Sequence, residues 1–264
     1  MPRVRPGEAA NPAPPTVQRI RLRFAKRGRL RFLSHRDVAR SFERAVRRAG
    51  VPVAHSHGFS PHPRLSWVGA APTGTASEAE YLEIGLTRPV DPAELVSALD
   101  AALPEGIDVL EASVAEGSAL ADRIDASRWL VELPGVLPDQ LRSALAALLA
   151  ETSVVVERIV PSGRRTIDVR AALVQAEVVP PPAPGPDDTA SAGVGRGQDC
   201  AIMTVVVRQL TPAVRPDDVL GALDLVAGLK SPVPAKATRL AQGLLDDRGQ
   251  LADPLGPDRV TARA

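Results

Sequence analysis

The segment RIRLRFAKRGRLRFLSHRDVARSFERAVRRAGVPVAH, from Arg19 to His55, predicts the first strand and the first helix of the fold. The period-two pattern of a half-buried strand comes first, with apolar residues at Ile20, Leu22 and Phe24. Ser34 followed by Asp37 is typical of a helix N-terminus. Apolar residues then recur at helical spacing until Gly50, which ends the pattern.

The pattern continues beyond this segment and completes a recognisable order of elements. We expect extension at Leu30–Leu33, a strand at Val51–His55, a loop at Ser56–Ser66, a strand at Glu80–Leu86, a helix from Asp91 to Leu103 and a strand at Ile107–Val114. The resulting order, β-α-β-β-α-β within about 100 residues, is the ferredoxin-like signature. Both helices should pack on one face of the sheet, since their apolar stripes need a common partner.

A second, weaker copy of the pattern follows, so we predict an α+β fold of two tandem ferredoxin-like (βαββαβ) modules with mainly antiparallel sheets. The predicted divisions are a disordered tail at 1–16, a basic module at 17–118, a second module at 126–245 with a mobile insertion at 180–199, and a frayed tail at 246–264.

Composition excludes several classes of protein. The single cysteine, Cys200, excludes internal disulfides and a cysteine-ligated iron–sulfur cluster within this chain. No apolar run reaches the roughly 18 residues that a membrane span requires. The first sixteen residues lack the apolar region of a secretory signal, so we expect a cytoplasmic protein. The sequence also lacks a P-loop, a dinucleotide-binding glycine motif and a nucleophile elbow.

Charge is concentrated in one part of the chain. Residues 17–70 contain thirteen Lys or Arg residues but only Asp37 and Glu43 as acids, a net charge of +11. The remainder must carry −10, because the whole chain is +1. Such asymmetry points to an anionic partner. One stripe along the first helix, opposite its apolar face, consists of Arg36, Arg40, Arg44 and Arg47. A solvated face or an acidic partner protein would also account for this stripe.

All four histidines lie within this basic segment, between positions 35 and 62. The two prolines flanking His62 stiffen the predicted loop, and we expect that loop to bring His62 and Arg64 towards the start of the first helix. No Asp or Glu lies between Glu43 and Glu78 to orient the histidines of that stretch around a metal, so we predict no metal site. The predicted residues for binding nucleic acid or a partner are His35, Arg36, Arg40, Arg44, Arg47, His55, His57, Ser60, His62 and Arg64.

Two segments carry a resemblance to a known family: RLRFLSHRDVARSFERAVRRAGVPVAHSHGFSPHPRLSW from Arg29 to Trp67, and SEAEYLEIGL from Ser77 to Leu86. They resemble the bacterial radical-SAM-linked domain family, whose members have no known function. The resemblance implies a domain that is fused behind a cobalamin-binding radical SAM enzyme or encoded beside one. The three-cysteine cluster motif of that enzyme is absent from this chain.

We therefore expect an accessory or substrate-recognition protein for a radical SAM enzyme, which binds structured RNA through its basic module. A second hypothesis is an adaptor whose basic face docks an acidic protein without touching nucleic acid. A third is a small RNA-cleaving enzyme that uses the histidine cluster. The absence of a triad, a P-loop and a cluster motif favours a non-enzymatic role, and we predict no cofactor and no catalytic residue in this chain.

Overall fold

The computed structural model describes residues 14–57, 60–160, 163–180 and 200–261. The chain divides into two compact units. The first contains the described residues up to Arg123 together with those from Pro254 onward, and the second runs from Ile124 to Asp253. The C-terminal segment therefore belongs to the N-terminal unit.

The first unit has the predicted order of elements. It contains β1 (Gln18–Lys26), α1 (His35–Arg48), β2 (Leu65–Val68), β3 (Ala76–Leu86), α2 (Pro92–Asp100) and β4 (Ile107–Val114), followed near the C-terminus by α6 (Gly256–Thr261). Its strands lie in the order β4-β1-β3-β2, and each neighbouring pair is antiparallel. This arrangement confirms the predicted α+β, ferredoxin-like class.

One apolar core unites both helices with one face of this sheet, as expected. Buried side chains of β1, β3, β4, α1 and α2 belong to the same cluster. At its centre, Phe24 of β1 packs edge-on against Phe42 of α1, with 4.8 Å between ring centroids. Trp67 of β2 contacts both rings, at 5.9 and 5.3 Å. These three aromatic rings fix the position of α1 on the sheet.

The segment between β1 and α1 differs from the extended conformation predicted for Leu30–Leu33. Residues Gly28–Phe32 form a 3₁₀ helix, and both Leu30 and Leu33 pack against the core. A period of three places these two leucines on the same side, whereas an extended chain would point them to opposite sides. Burial of both leucines accounts for the turn.

The second strand also lies elsewhere than predicted. Val51–His55 forms only two isolated bridges, Val53 with Leu86 and His55 with Pro63, whereas the strand β2 lies at Leu65–Val68. Part of the predicted loop is therefore sheet. Leu65 and Trp67 pack against the core, and this burial outweighs the weak strand signal of so short a proline-flanked segment.

The second unit repeats the same topology with an inserted hairpin. It contains β5 (Ala126–Pro134), α3 (Pro138–Ala150), β6 (Val155–Val160), β7 (Gly163–Asp168), α4 (Val169–Ala172), β8 (Leu173–Val179), β9 (Cys200–Arg208), α5 (Pro216–Ala227) and β10 (Lys236–Gly243). Four strands lie in the order β10-β5-β9-β8, all antiparallel. β6 and β7 pair only with each other, in a separate two-stranded sheet.

The predicted frayed tail at 246–264 is wrong for its described part. Leu245 bridges Leu251, α6 follows, and Asp258 within α6 is 1% exposed. Asp258 is ordered because it pairs with two buried arginines of the first unit. The predicted tail at 1–16 lies outside the described residues except for 14–16, which form no helix or strand, and so does the predicted insertion at 180–199 apart from Pro180.

Candidate nucleic-acid interface

The helix α1 begins at a cap that the sequence predicts. The Ser34 hydroxyl accepts a hydrogen bond from the Asp37 backbone N–H at 3.3 Å and donates one to the Asp37 carboxylate at 2.6 Å. This hydroxyl, with a smaller contribution from Arg40, holds the pKa of Asp37 below its ordinary value. The side of α1 that faces the sheet buries Val38, Ser41, Phe42, Ala45 and Val46.

The opposite side of α1 presents the four predicted arginines to solvent. These are Arg36, Arg40, Arg44 and Arg47, which we call the α1 arginine face. Arg40 approaches the exposed Asp37 carboxylate at 3.8 Å, and Arg44 donates to the Ser41 hydroxyl at 3.2 Å. Arg36, Arg44 and Arg47 have no ion pair within the described ranges. The face therefore keeps most of its positive charge.

Other arginines of the basic region are neutralised by distant carboxylates. Arg19 pairs with Glu83, Arg21 with Glu83 and Asp258, Arg23 with Glu111, and Arg27 with Glu78 and Asp108. The net charge of +11 therefore overstates the free positive charge of the first unit. The unpaired charge is concentrated on α1 and on the 3₁₀ helix before it.

These ion pairs cover much of the sheet face opposite the two helices. The Arg21 side chain is fully buried, and it also donates to the backbone carbonyls of Glu116 and Ser118. Tyr81 on β3 is only 3% exposed. Single-stranded RNA bases can stack on aromatic rings that are exposed on a sheet face. The described part of this sheet face offers no exposed aromatic ring for such stacking.

The structure does not bring the four histidines together. The His35 ring packs edge-on against Trp67, with 5.3 Å between centroids. His55 lies in a groove of about 390 Å³ beside the C-terminal half of α1. The remaining candidates on the connection, all exposed, are His57, Ser60 and His62. The structure thus separates His35 from the three histidines of the connection, whose two arms are joined by the bridge of His55 with Pro63.

The connection also lies at the other end of α1 from the one predicted. The groove beside His55 is lined by Arg47 and Gly50 of the helix end and by Pro61 and Pro63 of the connection. The chain leaves α1 at Gly50 and bridges Leu86 at once, so it stays near the C-terminal end of the helix. The predicted approach of His62 towards the start of α1 is therefore wrong.

Arg64 is likewise separated from the α1 arginine face. It lines a groove of about 590 Å³ with Ser66, Arg19 and Glu83, on the sheet face opposite the helices. Leu65 packs instead into the core beneath α1. Because side chains alternate along a strand, Arg64 and Ser66 share the side away from the helix. Arg64 therefore lies apart from the α1 arginine face, whereas Arg47 of that face lines the groove that contains His55.

Two residues that matter were missed by sequence reasoning. Asp258 is buried between Arg21 and Arg123, and no local pattern connects it with arginines so far away along the chain. Phe32 is 59% exposed beside Arg31. The three-residue spacing of Leu30 and Leu33 could have indicated a 3₁₀ turn, and hence an outward Phe32.

Among the residues that the structure describes, no group of three or more His, Cys, Asp or Glu side chains could hold a metal ion. None of the helices in the described ranges is long and apolar enough to cross a membrane.

Comparisons with known proteins place the chain in a family without assigning a function. No curated protein matches it. The chain is similar to the first two RRM domains of the yeast poly(U)-binding protein Pub1, at 13% identity and a TM-score of 0.21, over 84% of this chain and 98% of that one. The model of the family described as "Uncharacterized protein conserved in bacteria (DUF2344)" matches residues 19–216, so the protein belongs to that bacterial family.

Proposed function

We propose that this protein binds structured RNA through the α1 arginine face and acts as an accessory or substrate-recognition protein for a radical SAM enzyme. The observation that carries the proposal is the contrast between two sets of arginines in one unit. Those on the sheet are neutralised by carboxylates, whereas those on α1 are exposed and largely unpaired.

Phosphate binding gives a physical reason for this contrast. Like charges four residues apart destabilise a helix slightly, and α1 carries only two carboxylates, Asp37 and Glu43, against five arginines. A row of guanidinium groups from Arg36 to Arg47 spans about 16 Å at the rise of an α-helix. A B-form DNA duplex carries about one negative charge per 1.7 Å of axis, and an A-form RNA duplex likewise carries one phosphate charge per nucleotide on each strand. The α1 arginine face can therefore contact several phosphates of a backbone at once.

The same geometry favours structured RNA over an extended single strand bound on the sheet. Double-stranded RNA is recognised mainly through its shape, phosphates and 2′-hydroxyl groups. A convex helix covered with guanidinium groups suits such backbone contacts. The paired arginines and the buried Tyr81 on the opposite sheet face make base stacking there unfavourable.

The link to a radical SAM enzyme rests on the family resemblance of Arg29–Trp67 and Ser77–Leu86. A chain with one cysteine cannot supply the three cysteine ligands of a radical SAM cluster. Its contribution to the reaction would then be recognition: it would hold the RNA while the partner enzyme carries out the radical chemistry. Co-purification of a tagged chain with a cobalamin-binding radical SAM protein tests this part of the proposal.

The RNA-binding part is tested by replacing Arg40, Arg44 and Arg47 together with serine. We expect weaker binding to two hairpins of unrelated sequence, by similar factors, because phosphate contacts do not read sequence. The magnitude of the slope of log affinity against log salt should fall by about 2–3, since each of the three contacts contributes about 0.7 for a single strand and about 0.9 for a duplex. Fluorescence anisotropy with labelled hairpins, between about 50 and 200 mM KCl, measures both quantities.

A matched control removes the same charge from the second unit. Arg142, Arg164 and Arg165 are exposed, and their replacement by serine should leave the salt slope unchanged. Equal losses in both triple variants would contradict a specific role for α1. If the α1 variant keeps its RNA affinity but loses a co-purifying protein in nuclease-treated extract, the adaptor hypothesis replaces RNA binding. Shortened RNA after incubation would instead support cleavage.

A further inference from the structure

Phe32 stands apart from the other aromatic residues of the described chain. Phe24, Phe42, Tyr81 and Trp129 are each 3% exposed or less, and Trp67 packs against the core. The Phe32 side chain is 59% exposed. Aromatic residues make up only 3% of this protein. An exposed phenylalanine in so aromatic-poor a chain calls for a physical account.

The turn that carries Phe32 is held firmly in place. Leu30 and Leu33 on either side pack into the core, and their backbone N–H groups bond to Arg27 and Leu30 carbonyls at 3.0 and 2.9 Å. The Arg31 carbonyl accepts a hydrogen bond from Gly74 at 2.8 Å. The backbone under Phe32 is thus ordered by its neighbours, and the Phe32 ring itself contributes little to the core.

The surroundings of Phe32 are basic. The Arg31 guanidinium carbon lies 4.6 Å from the centre of the Phe32 ring, a cation–π contact that leaves much of the side chain exposed. Arg29 on the same turn is also exposed, without an ion pair in the described ranges. Arg36, the first residue of the α1 arginine face, follows four residues after Phe32.

We infer that Phe32, backed by Arg31, is a stacking site for an unpaired base of the RNA that the α1 arginine face binds. The inference rests on the proposed function and specifies its ligand: a stem with an adjacent unpaired nucleotide, as in a hairpin loop or a bulge. An aromatic ring flanked by cations is the arrangement on which single-stranded bases stack. A continuous duplex offers no free base for it, because its bases stack on each other.

The test compares two RNAs and four variants by fluorescence anisotropy. One RNA is a hairpin with an unpaired loop, and the other is a blunt duplex with the sequence of its stem. Phe32→Ala should weaken hairpin binding about tenfold and leave duplex binding within about twofold. Phe32→Leu, which keeps the apolar bulk without the ring, should lose as much as Phe32→Ala. Phe32→Trp should retain wild-type affinity.

The matched control is Leu225→Ala, which removes an apolar side chain 64% exposed in the second unit and should change neither affinity. Salt-dependent binding by the wild type with equal hairpin affinity in Phe32→Ala would overturn the stacking site and leave the proposed function standing. Hairpin and duplex losses of equal size would also overturn it. If the wild type binds neither RNA, both ideas fail. Weaker capture of a purified partner protein, with unchanged hairpin affinity, would reassign Phe32 to a protein contact.

Discussion

Replacing Asp258 with alanine is expected to lower the free energy of unfolding of the first unit by about 3–5 kcal/mol. The Asp258 carboxylate is fully buried and accepts hydrogen bonds from Arg21 at 3.1 Å and from Arg123 at 3.0 Å. Both guanidinium groups are buried as well, at 0% and 7% exposure. Removal of the carboxylate leaves Arg123 without an acidic partner among the described residues and Arg21 with Glu83 alone, so the desolvation of two buried guanidinium groups is less fully offset.

The measurement can be confined to the first unit, because the two tryptophans lie in different units. In a Trp129→Phe background, Trp67 alone reports the unfolding of the first unit in urea. Glu78→Ala is a suitable control, since Glu78 pairs with Arg27 at the surface of the same unit, where the two side chains are 32% and 45% exposed. Exposed pairs of this kind contribute about 0.2–1 kcal/mol. A loss at Asp258 no larger than the loss at Glu78 would contradict a sealed ion cluster.

The same cluster shows why part of this fold escaped prediction. The alternation of Ile20, Leu22 and Phe24 and the cap at Ser34 are local signals, and the strand and helix they predict are present. Asp258 lies 237 residues from Arg21 along the chain. The sequence around Asp258, with Gly256 and Pro257 beside it, has no apolar periodicity, so it suggested a frayed tail. This segment is ordered because Asp258 pairs with Arg21 and Arg123.

The candidate site, like the fold, was predicted where the sequence signal is local and was missed where it depends on distant partners. Helical periodicity alone places Arg36, Arg40, Arg44 and Arg47 opposite a buried face, and their exposure agrees with that prediction. The neutralisation of Arg21 could not be predicted, because its acidic partners come from β3 and α6. A count of charges in one segment cannot separate paired arginines from free ones. Whether an arginine is paired depends on the strands and helices that pack beside it.

The placement of the loop around His62 depended on a strand whose position was wrong. If Val51–His55 were the second strand, the following loop would lie outside the sheet, and its end could approach His35. The second strand instead lies at Leu65–Val68, so Trp67 contacts His35, and His62 precedes the strand. The second strand lies about a dozen residues further along the chain than predicted. The predicted position of His62 was therefore wrong as well.

Phe42→Ala is expected to destabilise the first unit by about 3–5 kcal/mol, as is usual for a large side chain removed from a core. Phe42 is fully buried and packs edge-on against Phe24 and Trp67, at 4.8 and 5.3 Å between centroids. Its removal opens a cavity between α1 and the sheet and eliminates both aromatic contacts. Urea unfolding monitored through Trp67 in the Trp129→Phe background measures the loss.

Phe32→Ala is the sharpest control for this prediction, because the chemical change is identical and the two positions lie ten residues apart. An exposed ring outside the core should cost less than about 0.5 kcal/mol on removal. Phe42→Ala should lower the free energy of unfolding and leave hairpin affinity per folded molecule unchanged. Phe32→Ala should leave the free energy of unfolding unchanged and lower hairpin affinity. Equal destabilisation by the two changes would show that the Phe32 ring supports the fold, and the separation of core from binding surface proposed for this segment would have to be abandoned.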